Sequence, residues 1–206
     1  MMRLAILGAG SHGRVVAESA AALGWSISFF DDVRTGSVDG HAVLGTAADL
    51  LAGQTQFDGV IAAIGDNRTR LDWILRLRTA GATITTIVDP SCRVSPSAHV
   101  GEGSFLACAS IVGTGASLGV GCILNTAASV DHDCRLADAV HLSPGVRLSG
   151  NVDIGEASWL GTGSSVRNNI VIGRDVVAGV GSAVVGNIAS GQTVVGVPAR
   201  PLEQPN

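Results

Sequence analysis

The chain has 206 residues, which suits one or two domains. Hydrophobic residues make up 46% and charged residues 15%, a balance that excludes a disordered chain and calls for a well-buried core. The net charge of −4 with no basic run argues against nucleic acid as a partner, although backbone N–H groups at a helix start can still hold a phosphorylated ligand.

Residues 1–7 form an apolar run too short for a signal peptide, and residues 3–7 read as a buried strand. Gly8-Ala9-Gly10-Ser11-His12-Gly13 follows, then an Ala-rich helix expected over about 14–23. Residues 25–30 predict a second strand ending at Asp31-Asp32. Residues 60–64 predict a third, followed by Gly65-Asp66-Asn67-Arg68. A helix over about 70–80 shows apolar Leu71, Ile74, Leu75 and Leu77, and residues 84–88 can add a fourth strand. Strand–helix alternation implies a small parallel sheet covered by helices.

Gly8, Gly10 and Gly13 satisfy GxGxxG between a strand and a helix, and Asp31 lies about 20 residues on, where a dinucleotide fold places its ribose-binding acid. NAD is the obvious ligand. However, only about 87 residues precede the next element, too few for a full dinucleotide fold with a substrate domain. A half-fold holding one nucleotide fits better, with loop N–H groups facing the diphosphate and Asp31 or Asp32 on sugar or base hydroxyls.

From Val88 onward every sixth residue is aliphatic, 17 positions in succession to Val184. A second column, four residues later, runs from Cys92 to Ser182 and holds only small or β-branched residues. Glycine often follows the aliphatic position, as at Gly101, Gly113, Gly119 and Gly155, and is read as permitting the corner geometry. A period of six fits neither a helix nor a lone strand; it fits short strands joined by tight corners, three hexads making a coil of about 18 residues. Residues 104–130 carry no charge, but this strict period and their Gly, Ser and Ala content argue against a membrane span. Cys92, Cys108, Cys122 and Cys134 form no CxxC pair and read as reduced structural residues, consistent with a cytoplasmic protein.

The repeat resembles that of the hexapeptide-repeat family, whose fold is a left-handed parallel β-helix, and Gly196-Val197-Pro198-Ala199-Arg200 resembles the end of hexapeptide acyltransferases. The Gly10–Gly13 loop, Phe30-Asp31-Asp32, Ala63-Ile64-Gly65-Asp66-Asn67 and Asn125-Thr126-x-x-x-Val130-x-His132-Asp133 occur in that order. Together they resemble bacterial sugar acetyltransferases that include UDP-4-amino-sugar and GDP-perosamine N-acetyltransferases and sialic acid O-acetyltransferases. The resemblance implies an α/β half-Rossmann domain over residues 1–87 and a left-handed β-helix over 88–206. It implies a cytoplasmic homotrimer acting in glycan biosynthesis, with active sites between neighbouring β-helices, and acetyl-CoA and a nucleotide sugar as co-substrates. His132 is then the general base, supported by Asp133. Gly10, Ser11, His12, Asp31, Asp32, Gly65, Asn67 and Asn125 contact the nucleotide sugar, and His141, Thr162 and Val180 serve acetyl-CoA.

Gly150 lies three hexads beyond His132, so it is expected beside it on the next coil, its N–H a candidate oxyanion donor. His132 falls outside both inward columns and is flanked by Asp131 and Asp133, which favour imidazolium and orient the ring. Where relatives often carry Glu, this chain has Asp133, and adjacent strand residues point opposite ways unless a corner intervenes. His41 and His99 read as surface residues. No close His-x4-His pair occurs, which argues against zinc held as in γ-class carbonic anhydrases; no metal is expected. A hydroxyl acceptor, or a non-catalytic sugar-nucleotide-binding β-helix, stays open beside the amine acceptor.

Overall fold

Strand β1 (Arg3–Leu7) forms where four successive apolar side chains are buried on both faces of a sheet. It runs into helix α1 (Ser11–Ala22), which starts about three residues earlier than expected because Gly10 keeps an extended backbone and acts as the N-cap. Ser11, His12 and Gly13 therefore form the first helical turn, and Gly13, Val16, Ala17 and Ala20 make the buried stripe. The computed structural model describes residues 2–202; Met1 and residues 203–206, the outer ends of the two expected domains, lie outside it.

Strand β2 (Ser26–Phe30) pairs in parallel with β1. Two elements then appear that the periodicity did not reveal. Strands β3 (Gly36–Val38) and β4 (His41–Gly45) make an antiparallel hairpin around Asp39-Gly40, both at positive φ. Helix α2 (Ala47–Gly53) begins with a Thr46/Asp49 capping box. Strand β5 (Gly59–Ala62) lies on the other side of β1, and α3 (Asn67–Thr79) follows, capped by Asp66. The sheet order is β3-β4-β2-β1-β5. The fourth strand expected over 84–88 is reduced to one bridge between Ile84 and Val60, because Ile87–Val88 already leaves the sheet to pair with Phe105–Leu106.

From there the chain winds as a left-handed β-helix. Two-residue strands recur at every hexad, and each pairs in parallel with the strand three hexads on, as Ile111 does with Ser129 and Ser129 with Arg147. Three sheets of six, five and eight strands result. Face I carries Ile111–Val112, Ser129–Val130 and their repeats, face II Ser117–Leu118 and Arg135–Leu136, and face III Phe105–Leu106, Ile123–Leu124, His141–Leu142 and Trp159–Leu160. The aliphatic column from Leu106 to Val184 points inward, each member no more than 3% exposed. Buried serines of the second column bridge coils: the Ser158 hydroxyl donates to Gly173 O at 2.7 Å and accepts the Val176 N–H at 3.0 Å.

The glycines that follow the aliphatic column serve a different purpose from the expected one. Gly101, Gly113, Gly119 and Gly155 do not have positive φ; a Cβ at Gly101 would sit 2.3 Å from the Gly119 carbonyl oxygen of the next coil. The left-handed residue falls two positions later, at each sixth position from 103 to 181, and is always Gly, Ala, Asp or Asn. That third column makes the corners, which stack into three edges. Edge I–II contains the turns at 114–115, 132–133 and 150–151, edge II–III those at 120–121, 138–139 and 156–157, and edge III–I those at 126–127, 144–145 and 162–163.

The N-terminal sheet and α1 are seated on the first coils of face III, where Ile87, Phe105, Ala107 and Ile123 join the cluster of Leu4, Ile6, Val16 and Phe29. The start of α3 runs along edge II–III: Arg68 is paired with Glu156 and, at 2.6 Å, with Asp175. Leu142 is fully buried mid-stack. Leu142→Ala is expected to destabilise the protein by about 3 kcal/mol through lost burial and an unfilled void, read as a lower denaturant midpoint with an unchanged far-ultraviolet circular dichroism spectrum before unfolding.

Candidate active site

The GxGxxG loop is pressed between α1 and β5. Gly8 has φ +103°, with its Cβ position 2.8 Å from Ala63 O, and a Cβ on Gly13 would lie 1.9 Å from Gly8 O. Gly10 and Gly65, in contrast, have open space where a side chain would be. The carboxylates at the end of β2 brace this loop. Asp31 Oδ2 accepts the Ala9 N–H at 2.7 Å, and its Oδ1 accepts the N–H groups of Val33 and Arg34 at 2.9 Å. Partial burial pushes the Asp31 carboxyl up, but the three N–H donors outweigh it and hold the group below its usual range. Asp32 Oδ1 accepts the Ala47 N–H at the start of α2 at 2.9 Å. Both acids expected on ligand hydroxyls thus already have backbone partners.

Between the Gly65–Arg68 turn and face III lies a cleft of about 530 Å³, floored by His141, Trp159 and Val177. These three form one stack, each a coil above the last, with the His141 and Trp159 rings 6.1 Å apart and inclined by 29°. Trp159 Nε1 donates to Ser143 Oγ at 2.7 Å, whereas buried His141 Nε2 has no partner among the described residues. Burial, then the charge of Arg70, pushes His141 down to about 3; the same two causes push His12 down to about 4. His12 meets Phe105 edge-on at 5.5 Å. Both imidazoles are therefore neutral at neutral pH.

Arg70, at the start of α3 and 1% exposed, holds this region together. Its Nε donates to Gly121 O at 2.7 Å, Nη1 to Ile64 O at 2.9 Å and Gly65 O at 3.2 Å, and Nη2 to Asn67 Oδ1 at 2.8 Å and Ala139 O at 3.0 Å. Burial lowers it to about 10, so it stays charged. Asn67, expected on the ligand, has both ends of its amide engaged, with Nδ2 donating to Ala157 O at 2.9 Å.

His132 lies on edge I–II, exposed. Its Nδ1 donates to Asp133 Oδ2 at 2.9 Å, and its backbone N–H donates to Asp131 Oδ1 at 2.8 Å. Asp133 has φ 59°, so the corner turns its side chain alongside the imidazole; in a flat strand the two would diverge. The bond from Asp133 is the main cause raising the His132 pKa. The ring lies against Gly150, where a Cβ would be 2.3 Å from both Cε1 and Nε2. Below it, a Cβ on Gly115 would lie 2.8 Å from Asp133 Oδ1. Glycines above and below make room for the pair.

Thr162 and Val180 stack on edge III–I, where the Gly181 N–H donates to Thr162 O at 2.8 Å and Val180 is 78% exposed. Asn125 opens a turn on that same edge and accepts the Thr126 N–H at 2.8 Å. The expected site residues thus occupy three places: the loop and cleft by face III, His132 with Asp133 and Gly150 on edge I–II, and Asn125 with Thr162 and Val180 on edge III–I. Each face spans about 20 Å at ~3.3 Å per residue, so one chain does not bring these groups together. Sequence reasoning misses Trp159, although a step of three hexads from His141 finds it. Arg70 gives no signal, being one arginine among several in a polar helix start. Among the described residues no group of three or more His, Cys, Asp or Glu side chains could hold a metal, all four cysteines are free, and no helix is long and apolar enough to cross a membrane.

A family profile described as the PglD N-terminal domain matches residues 3–77. The acetyltransferase domain of PglB from Neisseria gonorrhoeae FA1090, solved in complex with acetyl coenzyme A, is 44% identical with a TM-score of 0.96, covering 98% of this chain and 99% of that one. A histidine-to-alanine mutant of GDP-perosamine N-acetyltransferase from Caulobacter crescentus, in complex with CoA and GDP-perosamine, is 35% identical with a TM-score of 0.95 over 98% of this chain and 97% of that one. WeeI from Acinetobacter baumannii AYE is 25% identical with a TM-score of 0.91, covering 98% of this chain and 100% of that one. A comparison with curated proteins found no match. A Rossmann-like half joined to a hexapeptide-repeat β-helix defines the acyltransferase class. Within it, the chain belongs to the acetyl-CoA-dependent sugar N-acetyltransferases.

Because Asp133 raises the His132 pKa, an NMR titration of the imidazole is expected to show a midpoint above the usual histidine value. Asp133→Asn is expected to move it down. An unchanged midpoint would detach Asp133 from His132.

Proposed function

We propose that the chain transfers acetyl from acetyl-CoA to the amine of a nucleotide-linked 4-amino sugar, with His132 as general base. The observation that carries this is the exposed His132 ring, fixed by Asp133 at Nδ1 and lying against Gly150 at Cε1 and Nε2. The acceptor amine attacks the thioester carbon as Nε2 takes its proton. The oxyanion is held by the Gly150 N–H, which donates to no acceptor among the described residues. Collapse breaks the C–S bond, and the imidazolium returns the proton to the CoA thiolate.

Residues 1–87 form the sugar-nucleotide half, with Gly10, Ser11 and His12 at the start of α1 facing the diphosphate and Asp31, Asp32 and Gly65 around nucleoside and sugar. Residues 88–206 form the acyltransferase half. GDP-perosamine and CoA on the Caulobacter crescentus relative support both ligand classes. The arrangement we propose is a homotrimer in which a neighbouring copy sets its edge I–II against face III and brings its His132 to this chain's cleft, with Thr162, Val180 and His141 along the acetyl-CoA path. Asn125, expected on the nucleotide sugar, shares the edge of Thr162 and Val180 and is proposed on that path with them. We infer a cytoplasmic enzyme, a reading that the acetyl-CoA and nucleotide-sugar co-substrates support.

His132→Ala is expected to lower kcat by about 10²–10⁴-fold with little change in the KM of the nucleotide sugar. Thiol release from acetyl-CoA with UDP-, GDP- and dTDP-linked 4-amino sugars and sialic acid measures this. Undiminished turnover would remove His132 from the mechanism, and turnover with sialic acid alone would replace the amine by a hydroxyl acceptor.

A further inference from the structure

We propose that Arg70 is the positioning residue of the acceptor site, fixing the Gly65 turn against the wall of the prism that carries His141. The proposal rests on the sugar-nucleotide reading above. The guanidinium spends all five N–H groups, and its acceptors come from two bodies. Ile64 O, Gly65 O and Asn67 Oδ1 belong to the turn that forms one lip of the cleft. Gly121 O and Ala139 O belong to successive coils of edge II–III. None of the five is a carboxylate, so the contact is set by the shape of the fork and not by charge pairing. Drawing the Ile64 and Gly65 carbonyls back onto Arg70 leaves open space at the Gly65 Cα, on the side of the cleft. Asn67 extends the strap one coil further, to Ala157 O at 2.9 Å. The charge of Arg70 also helps keep His12 and His141 neutral, so their ring nitrogens meet a ligand as hydrogen-bonding groups and not as cations. A lysine keeps the charge but offers three donors from one point, too few and too localised for five acceptors spread over two bodies.

The test is Arg70→Lys in the full chain. Hydrogen–deuterium exchange is expected to rise in residues 64–67 and in the turns at 121 and 139, with the later coils unchanged. With the nucleotide-linked 4-amino sugar that the wild type turns over best, KM for that sugar is expected to rise at least tenfold. KM for acetyl-CoA is expected to stay within twofold. Unchanged exchange, or equal rises in both KM values, overturns the proposal. The exchange arm needs no substrate, so a wild type inactive on every sugar tested would count against the functional reading while still deciding the role of Arg70. If Arg70→Lys does not fold, Asn67→Ala removes one acceptor and the strap to Ala157; exchange and sugar KM must move in the same direction, and no change in either overturns the proposal.

Discussion

The three-hexad coil governs this molecule. A parallel ladder of two-residue strands closes only if each residue sits beside its counterpart one coil on, and the left-handed corner in every hexad makes that closure possible. Once the coil is set, chemistry on the prism has only two neighbour relations: along an edge or stack, in whole coils, or across a face, at about 20 Å. His132 over Gly150 is a relation of the first kind, and so is His141 under Trp159. The separation of His132 from the nucleotide-binding loop is of the second kind, and no side-chain movement removes it.

The same constraint lets one residue type do opposite work. His132 projects from a corner into water, and a carboxylate on the adjacent left-handed residue raises its proton affinity, as a base requires. His12 and His141 lie where the N-terminal domain meets face III, and there burial and Arg70 drive protons off. An imidazole poised to take a proton is thus marked by the carboxylate beside it, whereas the two that stay neutral owe this to burial and to Arg70, which their local sequence does not announce.

The prism was readable before any coordinates because one apolar residue in six is a pattern that no other regular structure satisfies, and all 17 positions kept it. Gly150 beside His132 followed from the same arithmetic. Composition does not distinguish a residue needed for positive φ from one needed for close backbone approach, so the sequence does not show that Gly101, Gly113, Gly119 and Gly155 serve close approach and not the corners. The β3–β4 hairpin and α2 lacked a long period, yet Asp39-Gly40 and Thr46-x-x-Asp49 carried their turn and cap signals. Arg70 and the engaged amide of Asn67 were illegible: their meaning lies in carbonyls far along the chain, at Gly121, Ala139 and Ala157, which only the docking of α3 on edge II–III brings near.

The central claim is that a working site needs His132 from one copy and the nucleotide-binding half from another. Subunit mixing tests it most directly. His132→Ala and a loop variant such as Gly13→Val, in which α1 can no longer pack on Gly8 O, are each to be purified as inactive protein, then dissociated, mixed and reassembled. The account predicts that activity returns in the mixture, to a fraction of wild type set by the share of interfaces that combine the two intact halves. A mixture as inactive as its components, with mixed assembly confirmed by mass, would place both halves of the site in one chain and contradict it.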